Sequence, residues 1–297
     1  MIIDNTIIKK KNTNNQSFTF SILIPTWNNL DYLKNCISSI RKNSSFQHQI
    51  IVHINEGKDD TLNWVQTQAD IDYVFSETNI GICYALNLCR ELVTTSYIVF
   101  LNDDMYVCKD WDKYLMDEIV AINHPYFFLS STLIEPLETG NPCVIVKDYG
   151  RDIESFDEEK LLTESDQLFK NDWQGATWPP NIVHVSAWDL VGGYSVEFTP
   201  GFYSDPDFSM KLWQAGIRLF KGVGKSKAYH FGSRSTKRFI KPKGYYTFIN
   251  KWGMSSSTFT KYYLRRGNKF TGLTAEVKLS ALQKIKNLIK RFSALMK

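Results

Sequence analysis

The sequence lacks any long apolar run, and this absence excludes a membrane-spanning helix. No stretch approaches the roughly 18 consecutive apolar residues that a helix needs to cross a bilayer. Residues 1–11 also lack the apolar core of a secretory signal peptide, because Asp4 and Asn5 interrupt them. We therefore expect a cytoplasmic protein, and this leaves peripheral contact with the inner face of a membrane open.

Paired cysteines are missing as well. The chain has 5 cysteines, an odd number, and no C-x-x-C spacing, which argues against a disulfide framework and a zinc finger. We interpret them as buried thiols of a reducing compartment.

A strong excess of either charge is also absent. The net charge is +4 at pH 7, so the sequence shows no nucleic-acid-binding footprint. With 297 residues, of which 43% are hydrophobic, the chain is long and apolar enough for one large domain with an appendage, or for two small domains. Its 14% aromatic content suits a platform for a sugar or a base, and equally suits core packing.

Short β-branched and aromatic runs alternate with helical patterns in the first part of the chain. This alternation predicts an α/β fold with a mostly parallel, Rossmann-type sheet flanked by helices. The predicted strands are 18–24, 50–54, 73–75, 97–101, 127–134 and 217–223, and the predicted helices are 29–41, 61–68, 82–93 and 205–215. We divide the chain into a flexible lead-in (1–17), a main domain (18–240) with halves meeting near residue 110, and a C-terminal helical extension (241–297).

Three polar residues, Asn102, Asp103 and Asp104, close the apolar strand 97–101. Ligands of open α/β sheets bind beyond the carboxyl ends of such strands. Adjacent carboxylates repel each other unless a cation lies between them, and hard oxygen ligands suit Mg²⁺ or Mn²⁺. The alternative is a solvated turn before a helix that Asp110 or Asp112 caps.

Three further loops follow predicted strands or precede a helix. Residues 25–28 are either a nucleoside-binding loop or a strand-ending turn, and residues 55–61 either accept hydrogen bonds from a base or ribose or cap a helix. Gly81 either allows a phosphate to approach a helix N-terminus or serves packing. The candidate nucleotide-binding residues in these loops are Pro25, Thr26, Asn28, Asn55, Glu56, Asn79 and Gly81.

In this order and spacing, the set resembles the inverting family 2 glycosyltransferases of the GT-A fold. The resemblance covers about residues 18–235. In the first half it is carried by the P-x-x-N loop at 25–28, the N-x-G-x-x-x-A-x-N helix at 79–87 and the Asn102-Asp103-Asp104 metal motif. In the second half it is carried by an element formed by Gly192-Gly193-Tyr194 and residues 201–208, which continues through Lys211 to Ala215 and Gly216. The histidine motif at 230–233 follows. It implies a nucleotide half at about 18–110 and an acceptor half at about 111–240.

Three positions depart from the family's pattern. Ile54 and Asn55 stand where members commonly carry an aspartate that reads the nucleobase. Ser204 replaces a frequent acidic residue, and Pro206 is unusual just inside a helix.

The resemblance implies roles for the acidic residues. Asp104 would hold Mn²⁺ or Mg²⁺, Asn102 and Asp103 would assist through the nucleotide-sugar, and His230 would complete the coordination. A structural histidine is the alternative for His230. Asp205 would be the general base, with Asp207 as its orienter or its competitor.

Aromatic and basic residues supply candidates for acceptor or sugar contact. Trp173 and Trp178 would stack on sugar rings, although core packing is the preferred interpretation of each taken singly. Arg234 and Lys237 would close over the diphosphate, or form a solvated basic loop.

The activity that the resemblance implies is metal-assisted sugar transfer from a UDP-, GDP- or dTDP-linked donor. The acceptor would be a glycan or lipid-linked hydroxyl, in polysaccharide biosynthesis. A sugar-nucleotidyltransferase is an alternative, but it requires a glycine-rich loop after the first strand, and residues 25–31 contain no glycine. A non-catalytic module that binds a glycan or a partner is the other alternative.

Residues 276–297 combine helical apolar spacing with basic residues and a single acidic one, Glu276. Such a helix lies on an anionic membrane, packs on the main domain, or contacts a second subunit in a homodimer.

Overall fold

The computed structural model describes residues 7–11, 17–232 and 244–296. Within them, eleven strands form one sheet. The strands are β1 (Ile7–Lys10), β2 (Ser21–Trp27), β3 (Gln49–Asn55), β4 (Ile71–Ser76), β5 (Tyr97–Phe100), β6 (Met105–Val107), β7 (Phe127–Glu135), β8 (Ile145–Val146), β9 (Trp173–Gln174), β10 (Asn181–His184) and β11 (Leu219–His230). The helices are α1 (Leu30–Asn43), α2 (Thr61–Gln66), α3 (Gly81–Arg90), α4 (Trp111–Ile122), α5 (Glu158–Glu164), α6 (Val185–Val191), α7 (Ser204–Gln214), α8 (Gly244–Trp252), α9 (Ser256–Thr258) and α10 (Ala281–Leu295).

The strand order is β1-β4-β3-β2-β5-β10-β7-β11-β6, with β8 beside β7 and β9 beside β11. Strands β4, β3, β2 and β5 pair in parallel, as do β7 and β11. Because β10 pairs antiparallel with both β5 and β7, those two strands still run in the same direction. The predicted α/β fold with a mostly parallel sheet is confirmed.

Alternation along the central strands builds a core on each face of the sheet. Ile22 and Ile24 of β2 pack on the side covered by α1 and α4, whereas Leu23 packs on the side covered by α3 and α7. All three side chains are fully buried. Each such burial contributes about 1.5–3 kcal/mol. Because helices cover both faces of the sheet, these strands are continuous apolar runs without the polar alternation of a half-exposed sheet.

Strand β11 is longer than the sequence predicts. The prediction ends at residue 223, but an irregularity between Val223 and Lys227 lets the strand continue to His230. Its last residues pair antiparallel with β6, so that His230 lies opposite Met105. This pairing brings the histidine motif to the end of β5.

Five strands of the described residues are absent from the sequence prediction: β1, β6, β8, β9 and β10. Among them, Ile7–Lys10 lies in the expected lead-in and pairs antiparallel with β4. The predicted surface excursion at 135–170 contains β8 and α5. In the described part of the chain, no helix combines the length and the apolar character that a membrane crossing requires.

Candidate functional site

A cavity of about 280 Å³ opens at the carboxyl ends of β2, β3 and β5. Parallel strands deliver their loops to one edge of a sheet, and this edge is the usual ligand site of open α/β sheets. The strand loops line one part of the cavity, and the segment leading into α7 lines the rest. The lining residues are Pro25, Thr26, Trp27, Asn55, Asn79, Gly81, Ile82, Phe100, Asn102, Asp103, Asp104, Pro200, Gly201, Phe202, Tyr203, Ser204 and Asp205.

The end of β2 is tied to the acidic residues after β5. The Thr26 hydroxyl donates a 2.7 Å hydrogen bond to Oδ2 of Asp103, which is 8% exposed. A hydrogen bond to a carboxylate is stronger than a neutral one and fixes its orientation. Asp103 therefore lines the cavity with a fixed orientation, and it is not a solvated turn residue.

Asn55, the last residue of β3, connects β2 with the segment before α3, at the position where the family commonly has an aspartate. Its Oδ1 accepts a hydrogen bond from the Ile80 amide at 3.0 Å, and its Nδ2 donates to the Thr26 carbonyl at 3.3 Å. Both ends of the carboxamide are thus committed to backbone groups. A charged aspartate would lack the donor that the Thr26 carbonyl uses.

Gly81 begins α3 where the backbone of another loop passes closely. Its φ is +78°, and a Cβ there would lie 2.6 Å from Thr199 and 2.9 Å from Cα of Pro200. The Ile82 amide donates to the Pro200 carbonyl at 3.0 Å. Glycine is therefore required by both the left-handed conformation and the contact.

Asn28 and Glu56 stand behind the cavity wall and are not among its lining residues. Trp27 Nε1 and Asn28 Nδ2 each donate to Oε2 of Glu56 at 3.1 Å. The hydrogen bond from Trp27, followed by those from Asn28 and Lys58, lowers the pKa of Glu56. Glu56 consequently stays charged and holds the Trp27 side chain at the cavity.

Asp104, His230 and Glu135 form a chain of polar contacts at the end of β5. Nε2 of His230 lies 3.6 Å from Oδ1 of Asp104, and its Nδ1 lies 3.1 Å from Oε1 of Glu135. Asp104 is 4% exposed and His230 is 8% exposed. Burial lowers the pKa of His230, but Asp104 and Glu135 outweigh burial and raise it to about 10.

This chain of contacts fits a divalent cation. Two ligands of one Mg²⁺ or Mn²⁺, each about 2.1 Å from it, lie about 3 Å apart, which is close to the Asp104–His230 separation. A carboxylate on the far ring nitrogen, here Glu135, is the usual partner of a metal-binding histidine. Within residues 7–11, 17–232 and 244–296, no group of three or more His, Cys, Asp or Glu side chains forms a ready metal site, so a ligand phosphate and water would complete the coordination.

The two carboxylates of α7 occupy different environments. Asp205 lines the cavity. Asp207 is fully buried on the opposite side and pairs with α8, where Trp252 Nε1 donates at 2.8 Å and Lys251 Nζ lies 2.9 Å away. Residues two apart on a helix point about 200° from each other, which accounts for the difference. Asp207 therefore braces α7 against α8, and it does not cap the helix.

Burial raises the pKa of Asp205 to about 7, while a hydrogen bond from Tyr194 opposes the rise. The Tyr194 hydroxyl lies 3.3 Å from Oδ1 of Asp205, and its ring stacks on Phe208 with centroids 4.6 Å apart. A carboxyl with such a pKa is half ionised near neutral pH, and this suits a general base.

Asn87, the last residue of the predicted N-x-G-x-x-x-A-x-N motif, holds Tyr194 in place. Its side chain donates to the Tyr194 carbonyl at 2.7 Å and accepts from the Tyr194 amide at 2.9 Å. A Cβ on Gly193 would lie 2.4 Å from Oδ1 of Asn87. Lys211 of α7 donates to the carbonyls of Val191 and Gly193, so the glycine-tyrosine turn is anchored from both sides.

Comparison with known proteins supports the resemblance. A family model described as glycosyl transferase family 2 matches residues 21–161. Among solved structures, residues 1–349 of S. aureus TarS give a TM-score of 0.55 at 14% identity, over 93% of this chain and 71% of that one. A longer TarS structure gives 0.57 at 13% identity, over 94% of this chain and 44% of that one. The structure of GalNAc-T7 with UDP, GalNAc and Mn²⁺ gives 0.57 at 13% identity, over 78% and 48%.

Residues 21–161 match the glycosyl transferase family 2 model, and the chain is a glycosyltransferase with the GT-A fold. No curated protein matches its sequence significantly.

The aromatic candidates of this glycosyltransferase lie away from the described cavity. Trp173 is buried, stacks on Gly222 and donates from Nε1 to Oγ1 of Thr132 at 2.9 Å. Trp178 is half-buried under the guanidinium of Arg266, 4.4 Å from its ring centroid. Both therefore make packing contacts, and their contact with a sugar stays a prediction. Arg234 and Lys237 lie outside the described residues.

Several lining residues of the glycosyltransferase cavity were not among the sequence candidates. They are Trp27, Ile82, Phe100, Pro200, Gly201, Phe202, Tyr203 and Ser204. Trp27 and the 200–204 segment adjoin predicted motifs, so adjacency was an available signal. Ser204, which replaces a frequent acidic residue, donates to the Gly201 carbonyl at 2.6 Å and closes the turn before α7. Pro206 falls in the first turn of α7, where proline is tolerated.

Proposed function

We propose that this enzyme is an inverting glycosyltransferase that moves a sugar from a nucleotide-sugar to the hydroxyl of a glycan or lipid-linked acceptor. One observation carries the proposal: Asp104, with His230 behind it, and Asp205 line the same cavity from opposite halves of the chain. A cation-binding carboxylate and a carboxyl with a pKa near neutrality are the two groups that such a transfer requires. Polysaccharide biosynthesis in the cytoplasm is the setting that we infer.

The donor that we propose is a uridine diphosphate sugar. The TarS structures contain UDP or UDP-GlcNAc, and the GalNAc-T7 structure contains UDP, GalNAc and Mn²⁺. In this chain, Pro25, Thr26, Trp27, Asn55 and Asn79 line the part of the cavity formed by the strand loops, which we assign to the nucleoside. GDP and dTDP donors are the competing possibilities.

Asp104 and His230 would hold Mn²⁺ or Mg²⁺, and the cation would neutralise charge on the leaving diphosphate. Asp205 would take the proton of the acceptor hydroxyl. The acceptor oxygen forms its bond to the anomeric carbon as the bond from that carbon to the diphosphate oxygen breaks, so the configuration inverts. Tyr194 holds the Asp205 carboxylate, and Asp207 keeps α7 in place through α8.

The test compares two substitutions on the same helix. Asp205→Asn should bind UDP with Mn²⁺ as the wild type does, yet lose about 10²–10⁴-fold in transfer, because the base is gone. Asp207→Asn is the matched control and should lower stability while keeping much of the transfer rate. The assay follows UDP release from UDP-GlcNAc, with water or an added glycan as acceptor. Normal transfer by Asp205→Asn would show that the base is another residue.

The metal assignment is tested by calorimetry. UDP, GDP and dTDP are titrated into the wild type and Asp104→Ala, each with Mn²⁺ and again with EDTA. We expect one nucleotide to bind the wild type more tightly with Mn²⁺ and the variant to show no such difference. If a folded wild type binds none of the three, the non-catalytic binding module becomes the better proposal.

A further inference from the structure

Helix α10 turns its apolar side away from the protein. The exposed fractions of its large apolar side chains range from 52% to 70%, and Met296 is 75% exposed. These side chains are Leu282, Ile285, Leu288, Ile289, Phe292 and Leu295, with Met296 directly after the helix. We call these seven residues the α10 apolar face. Soluble proteins rarely expose a contiguous apolar surface of this kind unless it contacts something.

The helix is docked by its polar side. Asn287 is 7% exposed, and its Oδ1 accepts a hydrogen bond from the Thr258 hydroxyl at 3.1 Å. Nζ of Lys290 donates to the Ser255 hydroxyl at 3.1 Å. At 100° per residue, positions 287 and 290 lie roughly opposite the centre of the α10 apolar face. These polar contacts fix the side of the helix that faces outward.

Basic residues border the α10 apolar face. Lys284 and Arg291 follow one margin, and Lys286 follows the other, each of them exposed. Residues 277–297 contain no aspartate or glutamate. We propose that this face is a docking surface for an anionic lipid membrane, in which the apolar side chains enter the acyl boundary and the basic ones contact headgroups.

Charge favours a membrane over a second copy of this chain. In a symmetric pairing of two α10 helices, each copy would bring its own Lys284, Lys286 and Arg291 to the interface and no carboxylate to neutralise them. An anionic bilayer supplies both an apolar phase and negative charge. Long basic side chains next to an apolar band suit such an interface, because their stems lie along the apolar phase while their charges remain in water.

The helix that carries the docking surface packs on the catalytic domain. Helix α10 packs against α8, and α8 holds Asp207 of α7 through Trp252 and Lys251. A membrane contact at α10 would therefore fix the orientation of the domain that carries Asp205 relative to the bilayer.

The test is sedimentation of the full chain with vesicles, either pure phosphatidylcholine or phosphatidylcholine with one quarter phosphatidylglycerol. We expect binding to the anionic vesicles, weakened by salt. The double variant Ile289→Ser/Phe292→Ser should lose about tenfold or more in binding, and Lys284→Glu/Arg291→Glu should lose at least a similar amount. Phe169→Ser, at an 81% exposed phenylalanine outside the helix, is the matched control and should bind as the wild type does.

Two outcomes would overturn the proposal. The first is equal sedimentation of the wild type and the α10 variants, or equal binding to neutral and anionic vesicles. The second is a concentration-dependent dimer, seen by sedimentation equilibrium, that Ile289→Ser/Phe292→Ser dissociates. Circular dichroism and a urea titration of each variant verify the fold, and the vesicle result does not depend on whether the enzyme binds UDP or transfers sugar.

Discussion

The contact between Tyr194 and Asp205 makes a quantitative prediction about the pH dependence of catalysis. The proposed general base, Asp205, acts only when deprotonated, so activity should fall as pH drops below its pKa, about 7. The Tyr194 hydroxyl donates to the carboxylate and lowers that pKa. Tyr194→Phe deletes the donor but keeps the ring that stacks on Phe208. The variant should therefore need a higher pH to reach full activity.

The size of the effect follows from the geometry. Hydrogen bonds to charged groups contribute about 1.5–3 kcal/mol, and a 3.3 Å contact is long for two oxygen atoms, so the lower end applies. About 1.4 kcal/mol corresponds to one pKa unit. In a plot of kcat/KM against pH, the midpoint of the fall at low pH should move from near pH 7 to near pH 8. The variant should therefore be about tenfold slower than wild type at pH 6 and nearly equal at pH 9.

The assay is kcat/KM for UDP release from UDP-GlcNAc between pH 5 and pH 9. Tyr73→Phe is the matched control, because Tyr73 is 4% exposed and its hydroxyl bonds to Gln66, not to Asp205. In that variant, kcat/KM should fall at the same pH as in the wild type. A Tyr194→Phe profile that is lower at every pH but unshifted would refute the reasoning, since it would mean that Tyr194 only supports packing.

Three further predictions concern stability and ligand binding. Asp205→Asn should exceed the wild type in free energy of unfolding by about 4 kcal/mol at pH 8 and by under about 1 kcal/mol at pH 4 in urea titrations. The reason is that the pKa of the carboxyl rises from 3.8 to about 7 on folding, so the wild type loses stability as pH rises between those values. A pH-independent difference would contradict this. Gly81→Ala should lower the free energy of unfolding by about 1–3 kcal/mol and weaken UDP binding. Gly140 is the control, because it shares a positive φ but has open space around it, and Gly140→Ala should lower that free energy by under about 1 kcal/mol. Equal losses would rule out the proposed clash. Glu135→Gln should lower Mn²⁺ affinity about tenfold in calorimetry by releasing His230, and an unchanged affinity would mean that Glu135 does not orient the histidine.

The strands and their loops were accessible from the sequence because each rests on local chemistry. Apolar β-branched runs such as 97–101 predict buried strands, and parallel strands place their carboxyl ends at one edge, so the loops at 25–28, 55–61 and 102–104 had to meet. Short elements escaped prediction. Strand β6 has three residues and β10 has four, too few for a period to appear, and their pairing depends on partners far away in the chain.

The two α7 carboxylates show the limit of motif reasoning. The family resemblance made Asp205 the candidate for the base, with Asp207 as its orienter or competitor. Only the packing of α8, which sends Trp252 and Lys251 to Asp207, separates a braced carboxylate from one that lines the cavity. A motif records which residues are present, whereas the environment of each one is made by elements that the motif does not contain.

By itself, the sequence determined the fold class, the edge of the sheet that carries the site and the apolar stripe of the last helix, since periodicity and strand ends are local properties. The tertiary structure alone decided that His230 meets Asp104, that Tyr194 reaches Asp205, and that α10 faces outward with its apolar side. Each of these depends on contacts between distant segments, and many arrangements of such contacts are compatible with the same local pattern. Periodicity gives a helix its stripe, but Asn287 and Lys290, bonded to Thr258 and Ser255, decide which side the protein covers.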